Sequence, residues 1–211
     1  MRYLYIDTSS SYLYTAIVEN EKLLSEIKEE FGQSLSEVAL PKIASMFEKT
    51  NLEAKDINKI IVVDGPGSFT GIRIGITIAK VYSWSLEIPI TTITSLEAMA
   101  LSSDEEKIHV PIINARRGYV YTAIYDQEYN ELLKPQHMKL EDLQEKLNTI
   151  GEYEYISNDE FKDITNIKLY NPNLEKIVNY FKDKENVNPH AVNPEYLKLT
   201  AAEESKLWLL K

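Results

Sequence analysis

The chain has 211 residues, 44% of them hydrophobic, with 23 basic against 33 acidic side chains, a formal net charge of −10 and no cysteine. This is length enough for one large or two small domains with real cores. The lack of cysteine excludes a disulfide framework and a thiolate zinc site; the acidic balance, with Arg116–Arg117 the only adjacent basic pair among scattered basic residues, implies that any work on nucleic acid needs a partner to supply positive charge. No apolar run nears the roughly 20 residues of a membrane helix, and the start MRYLYIDTSSS reads as a strand and turn instead of a signal peptide. A cytoplasmic protein is expected.

Taken in order, YLYI (3–6) ends at Asp7. After the turn TSSS come YLYTAIV (12–18) and, past ENEK, LLSEIKEE, so three strands in an antiparallel meander are expected. Ser34 and Glu37 have the spacing of a capping box, predicting a helix over 34–49 that bends at Pro41. IIVV (60–63) is β-branched throughout, as in a strand covered on both faces. A helix over 70–86, a strand at 88–93 and a helical segment from Ser95 to Leu101 follow. The polar SSDEEK (102–107) marks a boundary between a first domain, 1–103, and a second, 104–211. The second repeats the pattern in reduced form: VPIIN, the turn ARRG, YVYTAIYD (119–126), a helix at 137–147, the strand EYEYIS and the helix NLEKIVNYFKDK. A last helix in AAEESKLWLL has enough apolar surface to dock on the first domain. Strands and helices in this order predict an α/β fold of two mixed sheets carrying helices.

GPGSFTGIRIG (65–75) fits no familiar catalytic loop. Position 70 is Thr where a phosphate-binding P-loop needs glycine, and no lysine follows. The glycine at 71 comes one residue late for a dinucleotide fingerprint, and Ser68 lacks the flanking glycines of a nucleophile elbow. Two readings remain. Gly65, Gly67 and Pro66 make a structural turn, with Ser68 or Thr70 capping the next helix; or its amides, with Asp7, Gly65, Gly67, Ser68 and Thr70, contact an anion or nucleotide.

In the helix that follows, Gly71, Gly75, Ala79 and Ser83 fall at four-residue steps and form a smooth stripe, while Ile72, Ile74, Ile76, Ile78 and Val81 spread apolar surface around it. Leu35, Val38, Leu40, Ile43, Met46 and Phe47 likewise exceed one narrow stripe. Either the chain's own sheet buries these helices or a partner protein covers one side. The three histidines, His109, His137 and His190, stand in no ligand-spaced motif. Asp7 and Asp64 both follow apolar strands, where a carboxylate pair can hold magnesium or simply cap turns.

IDTSS, ALPKI, DGPGSFTGIRIG, INARRGYVY and PEYLKL together resemble the TsaB (YeaZ) family. The resemblance implies the fold of the actin, Hsp70 and sugar-kinase group, two RNase H-like domains with the second shortened. It implies an accessory, non-catalytic subunit in making threonylcarbamoyladenosine next to the anticodon of tRNAs that read codons starting with A. The partners implied are the catalytic subunit TsaD, the ATPase TsaE, a second copy of this chain, and tRNA only through the complex. No cofactor is expected on this chain alone; whether ATP or ADP sits at the complex interface is left open by the sequence. The His-x-x-x-His metal pair of TsaD falls on Ser95 and Met99, which cannot replace imidazoles. Asn114 and Lys198 stand where the family often has aspartate and arginine.

The partner interface is accordingly expected on Leu35, Val38, Leu40, Ile43, Met46, Phe47, Gly71, Ile72, Gly75, Ile76, Ala79 and Ser83, with Gly75→Arg or Ala79→Glu breaking the complex and leaving the monomer folded. Two rival readings are an ATP-dependent phosphotransferase using Asp7 and the glycine loop, and a metalloprotease of the glycoprotease type.

Overall fold

The computed structural model describes residues 1–31 and 34–198; the helix expected in AAEESKLWLL lies outside the described residues. The chain divides into two compact units. The first comprises Met1–Asp104 and Tyr170–Glu195, and the second is built on Glu105–Leu169. The last part of the region assigned by sequence to the second domain therefore belongs to the first unit.

In the first unit, β1 (Arg2–Asp7), β2 (Tyr12–Glu19) and β3 (Lys22–Glu30) form the antiparallel meander, and β4 (Lys59–Gly65) and β5 (Ile90–Thr94) add in parallel. The sheet order is β3-β2-β1-β4-β5. The central strands β1 and β4 are buried almost without interruption. Both faces are covered, so alternation of polar and apolar residues gives way to continuous apolar runs. On one face α1 (Leu35–Thr50) and α2 (Phe69–Leu86) close a core over Leu4, Ile6, Ile60 and Val62. A short α3 (Ser95–Ala100) follows β5. Helix α5 (Leu174–Phe181) packs on β1, β2 and β3 and buries Leu174, Ile177, Val178 and Phe181.

The second unit has β6 (Ile108–Asn114), β7 (Tyr119–Tyr125), β8 (Glu131–Lys139), β9 (Tyr153–Ser157) and β10 (Ile167–Leu169), in the order β8-β7-β6-β9-β10. This is the same arrangement again: an antiparallel meander with two parallel strands added beside its first member. The reduction expected of this half lies in its helices and not its sheet. Helix α4 (Leu140–Leu147) is half the length of α1, and no helix joins β9 to β10. Leu143 and Leu147 of α4 cover Val110, Ile112, Val120, Ile124 and Tyr155.

Two local expectations are corrected. His137, Met138 and Lys139 end a strand and do not begin a helix. Ser34 does sit at the N-cap of α1, but its backbone is already helical (φ −81°, ψ −1°) and its side chain makes no capping bond. A capping oxygen needs the extended backbone that aims it at the first-turn amides; here the hydroxyl donates to the Phe31 carbonyl at 2.8 Å instead. A capping box does form on α3, between Thr94 and Glu97. Among the described residues no helix is long and apolar enough to cross a membrane.

Candidate functional site

The glycine loop closes against the turn between β1 and β2. Ser68 N–H donates to the Ser9 carbonyl at 2.6 Å. Gly67 takes φ +154°, and a Cβ there would overlap the same carbonyl. Ser68 then caps α2, its hydroxyl accepting from Gly71 N–H at 3.2 Å, so one of the helix's otherwise unpaired donors is already used. Thr70 is exposed on the first turn. Ser68 and Thr70, with Ser10, Ser11, Leu35, Ser36, Gly71 and Ile74, line a groove of about 420 Å³ in which the first turns of α1 and α2 meet.

The other anion candidates do not line that groove. Gly65 is packed against the Glu195 backbone, where a Cβ would come within 2.9 Å of the Glu195 carbonyl oxygen. Asp7 is 2% exposed. Its carboxylate accepts from Ser9 N–H at 2.8 Å and from the Tyr5 hydroxyl at 3.5 Å. Burial raises its pKa above the usual carboxylate range, opposed by the Ser9 hydrogen bonds.

Asp7 ends β1 and Asp64 lies one residue before the end of β4, at a bulge between Val63 and Gly65, and the two carboxylates have different neighbours. Asp64 faces Thr92, Glu97 and Glu195, whereas Asp7 is held by Ser9 and Tyr5. The three histidines also stay apart. His109 is buried with Nδ1 3.0 Å from Glu154 Oε1, His137 stacks among tyrosines of β7, and His190 meets Trp84. Ser95 and Met99 are buried on α3, with the Ser95 hydroxyl donating to the Pro66 carbonyl at 2.6 Å.

The small-residue stripe faces inward. Gly71, Ile72, Gly75, Ile76, Ala79 and Ser83 are all buried within the first unit, and Cβ atoms on Gly71 and Gly75 would overlap Thr8. The glycines let α2 settle on its own β1–β2 turn. On α1, Leu35, Ile43, Met46 and Phe47 are likewise core, Val38 is half-buried and only Leu40 is exposed. Ten of the twelve residues expected at a partner interface are therefore enclosed by the chain itself. This is the corrected assignment: helical spacing identifies a smooth face but not the neighbour it meets.

The opposite face of α2 carries Val81, named in the sequence reading, together with Phe69 and Trp84, which that reading did not single out. Phe69, Val81 and Trp84 are 56%, 58% and 70% exposed. With Arg73 and Thr77 they follow four- and three-residue steps that place them on one side of the helix. The Arg73 guanidinium lies 3.8 Å from the centre of the Phe69 ring. Counting outward from the inward stripe would have found this face.

Two sheets sharing one strand order, with long helices on the first, define the actin, Hsp70 and sugar-kinase class of fold. YeaZ from Pseudomonas aeruginosa has that fold, superposing with a TM-score of 0.72 over 93% of this chain and 99% of its own at 18% identity. A family model described as TsaD, tRNA N6-adenosine threonylcarbamoyltransferase, matches residues 22–172. The tRNA threonylcarbamoyladenosine biosynthesis protein TsaB of Bacillus subtilis is 31% identical over 96% of both chains. TsaB of Escherichia coli is 29% identical over 72% of this chain and 71% of its own. The chain belongs to the TsaB (YeaZ) family.

Proposed function

We propose that this chain acts in tRNA threonylcarbamoyladenosine biosynthesis as a non-catalytic cytoplasmic subunit that binds TsaD through the outward side of α2 and Leu40 of α1. The same face serves a homodimer when TsaD is absent, TsaE joins the assembled pair, and the tRNAs modified are those reading codons that start with A. The family supports the pathway. The apolar row Phe69, Val81 and Trp84 supports the surface, because it leaves three large side chains in water on the helix that anchors the first sheet. Covering each is worth about 1.5–3 kcal/mol, enough for three of them to offset much of the entropy lost on association.

The phosphotransferase reading is the weaker one, since Asp7 is turned into the core and held by Ser9 and Tyr5. The test is reconstitution with TsaD, TsaE and a threonylcarbamoyl-adenylate synthase. Trp84→Asp and Val81→Asp are expected to keep the melting temperature of the isolated chain, lose TsaD in co-purification and lose tRNA modification. Wild-type recovery of TsaD with both variants would sink the assignment.

A further inference from the structure

The turn between β6 and β7 is built from residues ill suited to its shape. Arg116, Arg117 and Gly118 have φ of +66°, +55° and +76°. Tight hairpin turns with this backbone favour Asn and Gly, because a Cβ is disfavoured in the left-handed region. The turn is nonetheless closed by Asn114, whose side-chain oxygen accepts from Arg116 N–H at 2.8 Å, and by Tyr119 N–H donating to the Arg116 carbonyl at 3.0 Å. Two of the chain's four arginines stand at its tip. The other two are engaged, Arg2 with Glu19 and Arg73 with Phe69. Arg116 and Arg117 are exposed, and among the described residues neither has an ion-pair partner. In a chain of net charge −10, two adjacent guanidiniums at a strained tip are held out for something beyond the fold.

Beside them lies a row of rings. Tyr119 stacks on His137 with centroids 4.8 Å apart and planes 8° apart, and Tyr121 lies 5.3 Å from the same imidazole. By alternation Tyr119 and Tyr121 leave β7 on the face opposite Val120 and Ile124, the pair that α4 covers. All three rings are half-buried, and the exposed Lys139 pairs with Tyr119 across the strands. Guanidiniums bind phosphate by paired hydrogen bonds, and aromatic faces accept unstacked bases. A carboxylate-bearing peptide would use the arginines but give no role to the rings.

We propose that the Arg116–Arg117 turn and the Tyr119–His137–Tyr121 row form a direct contact for single-stranded RNA, with a backbone phosphate on the guanidiniums and an unpaired base against Tyr119. This deepens the tRNA reading above and rests on it; it replaces the expectation that tRNA meets this chain only through its partners.

The experiment is fluorescence anisotropy of a labelled anticodon stem-loop RNA against the isolated full chain over a range of salt. The double variant Arg116→Asn/Arg117→Gly suits the turn better than the native pair, so its melting temperature is expected to hold or rise. Its affinity is expected to fall roughly tenfold or more, with the salt dependence flattening by about 0.7 in log–log slope per lost phosphate contact. Tyr119→Ala is expected to lose about tenfold in affinity at unchanged slope, as loss of a stacked base predicts. No binding by the wild-type chain, or equal binding by the double variant, overturns the proposal, as does loss of a co-purified protein without loss of RNA. If the double variant binds no less RNA but supports full tRNA modification, this contact is wrong and the proposed function stands; if the wild-type chain fails to support modification, the function itself fails.

Discussion

Gly71 and Thr8 are so close that no side chain fits between them. The Thr8 hydroxyl donates to the Gly71 carbonyl at 2.7 Å, and a Cβ on residue 71 would overlap the Thr8 carbonyl oxygen. The obstacle is backbone and cannot rotate away, so Gly71→Ala must push α2 off the β1–β2 turn. A loss of about 3 kcal/mol or more is expected, read as a lower urea midpoint of the isolated chain. Gly75→Arg, whose Cβ would meet the Thr8 hydroxyl, is expected to unfold the first unit. That differs from the expectation that it would spare the monomer. A folded Gly75→Arg monomer of wild-type stability would show that α2 is placed wrongly.

Much of this architecture was legible in the residues. The β-branched IIVV read as a strand covered on both faces, as β4 is, and the first meander, α1, α2 and β5 follow their apolar patterns to within a few residues. Strand β8 was not legible, because ELLKPQHMK carries a proline, does not alternate, and sits half-exposed at a sheet edge. Three-residue β10 left no pattern to read. The inward stripe on α2 was visible but its neighbour was not: periodicity is a property of one element, whereas contact with Thr8 joins residues 63 positions apart. For the same reason nothing in NLEKIVNYF says which sheet α5 will cover.

Lys59 provides a test of how α5 is held. It is 8% exposed at the start of β4, and its ammonium donates to the carbonyls of Lys182, at 3.0 Å, and Lys184. Both carbonyls lie just past the end of α5, where a cation also suits the helix dipole. Burial lowers the pKa of this lysine, a cost the two carbonyls offset. Lys59→Met keeps the stem and removes the donors, leaving two part-buried carbonyls without this partner. A loss of about 1.5–3 kcal/mol is expected, with faster hydrogen exchange in α5 than in α1. Equal exchange in both helices would mean that Lys59 does not hold α5.

The expected pH dependence centres on Asp64. Burial pushes its carboxyl up to about 7, with Glu195 and Glu97 adding repulsion and a Thr92 hydrogen bond opposing. Its Oδ1 has no hydrogen-bond partner among the described residues. Glu195 is drawn beside it by its own N–H, which donates to the Asp64 carbonyl at 2.8 Å, and its carboxyl is raised too, first by burial and then by Glu97. A carboxyl whose folded pKa exceeds its unfolded value binds its proton more tightly in the native state. Its contribution is therefore fully favourable below about pH 4 and is lost as pH rises through 7. A shift of about three units corresponds to at most about 4 kcal/mol. Asp64→Asn removes the titration without adding charge. The stability of this variant relative to wild type should climb between about pH 4 and 7 and level off above that, measured by urea unfolding at each pH. A difference that stays flat across that range would show that Asp64 ionises as freely in the folded chain as in water.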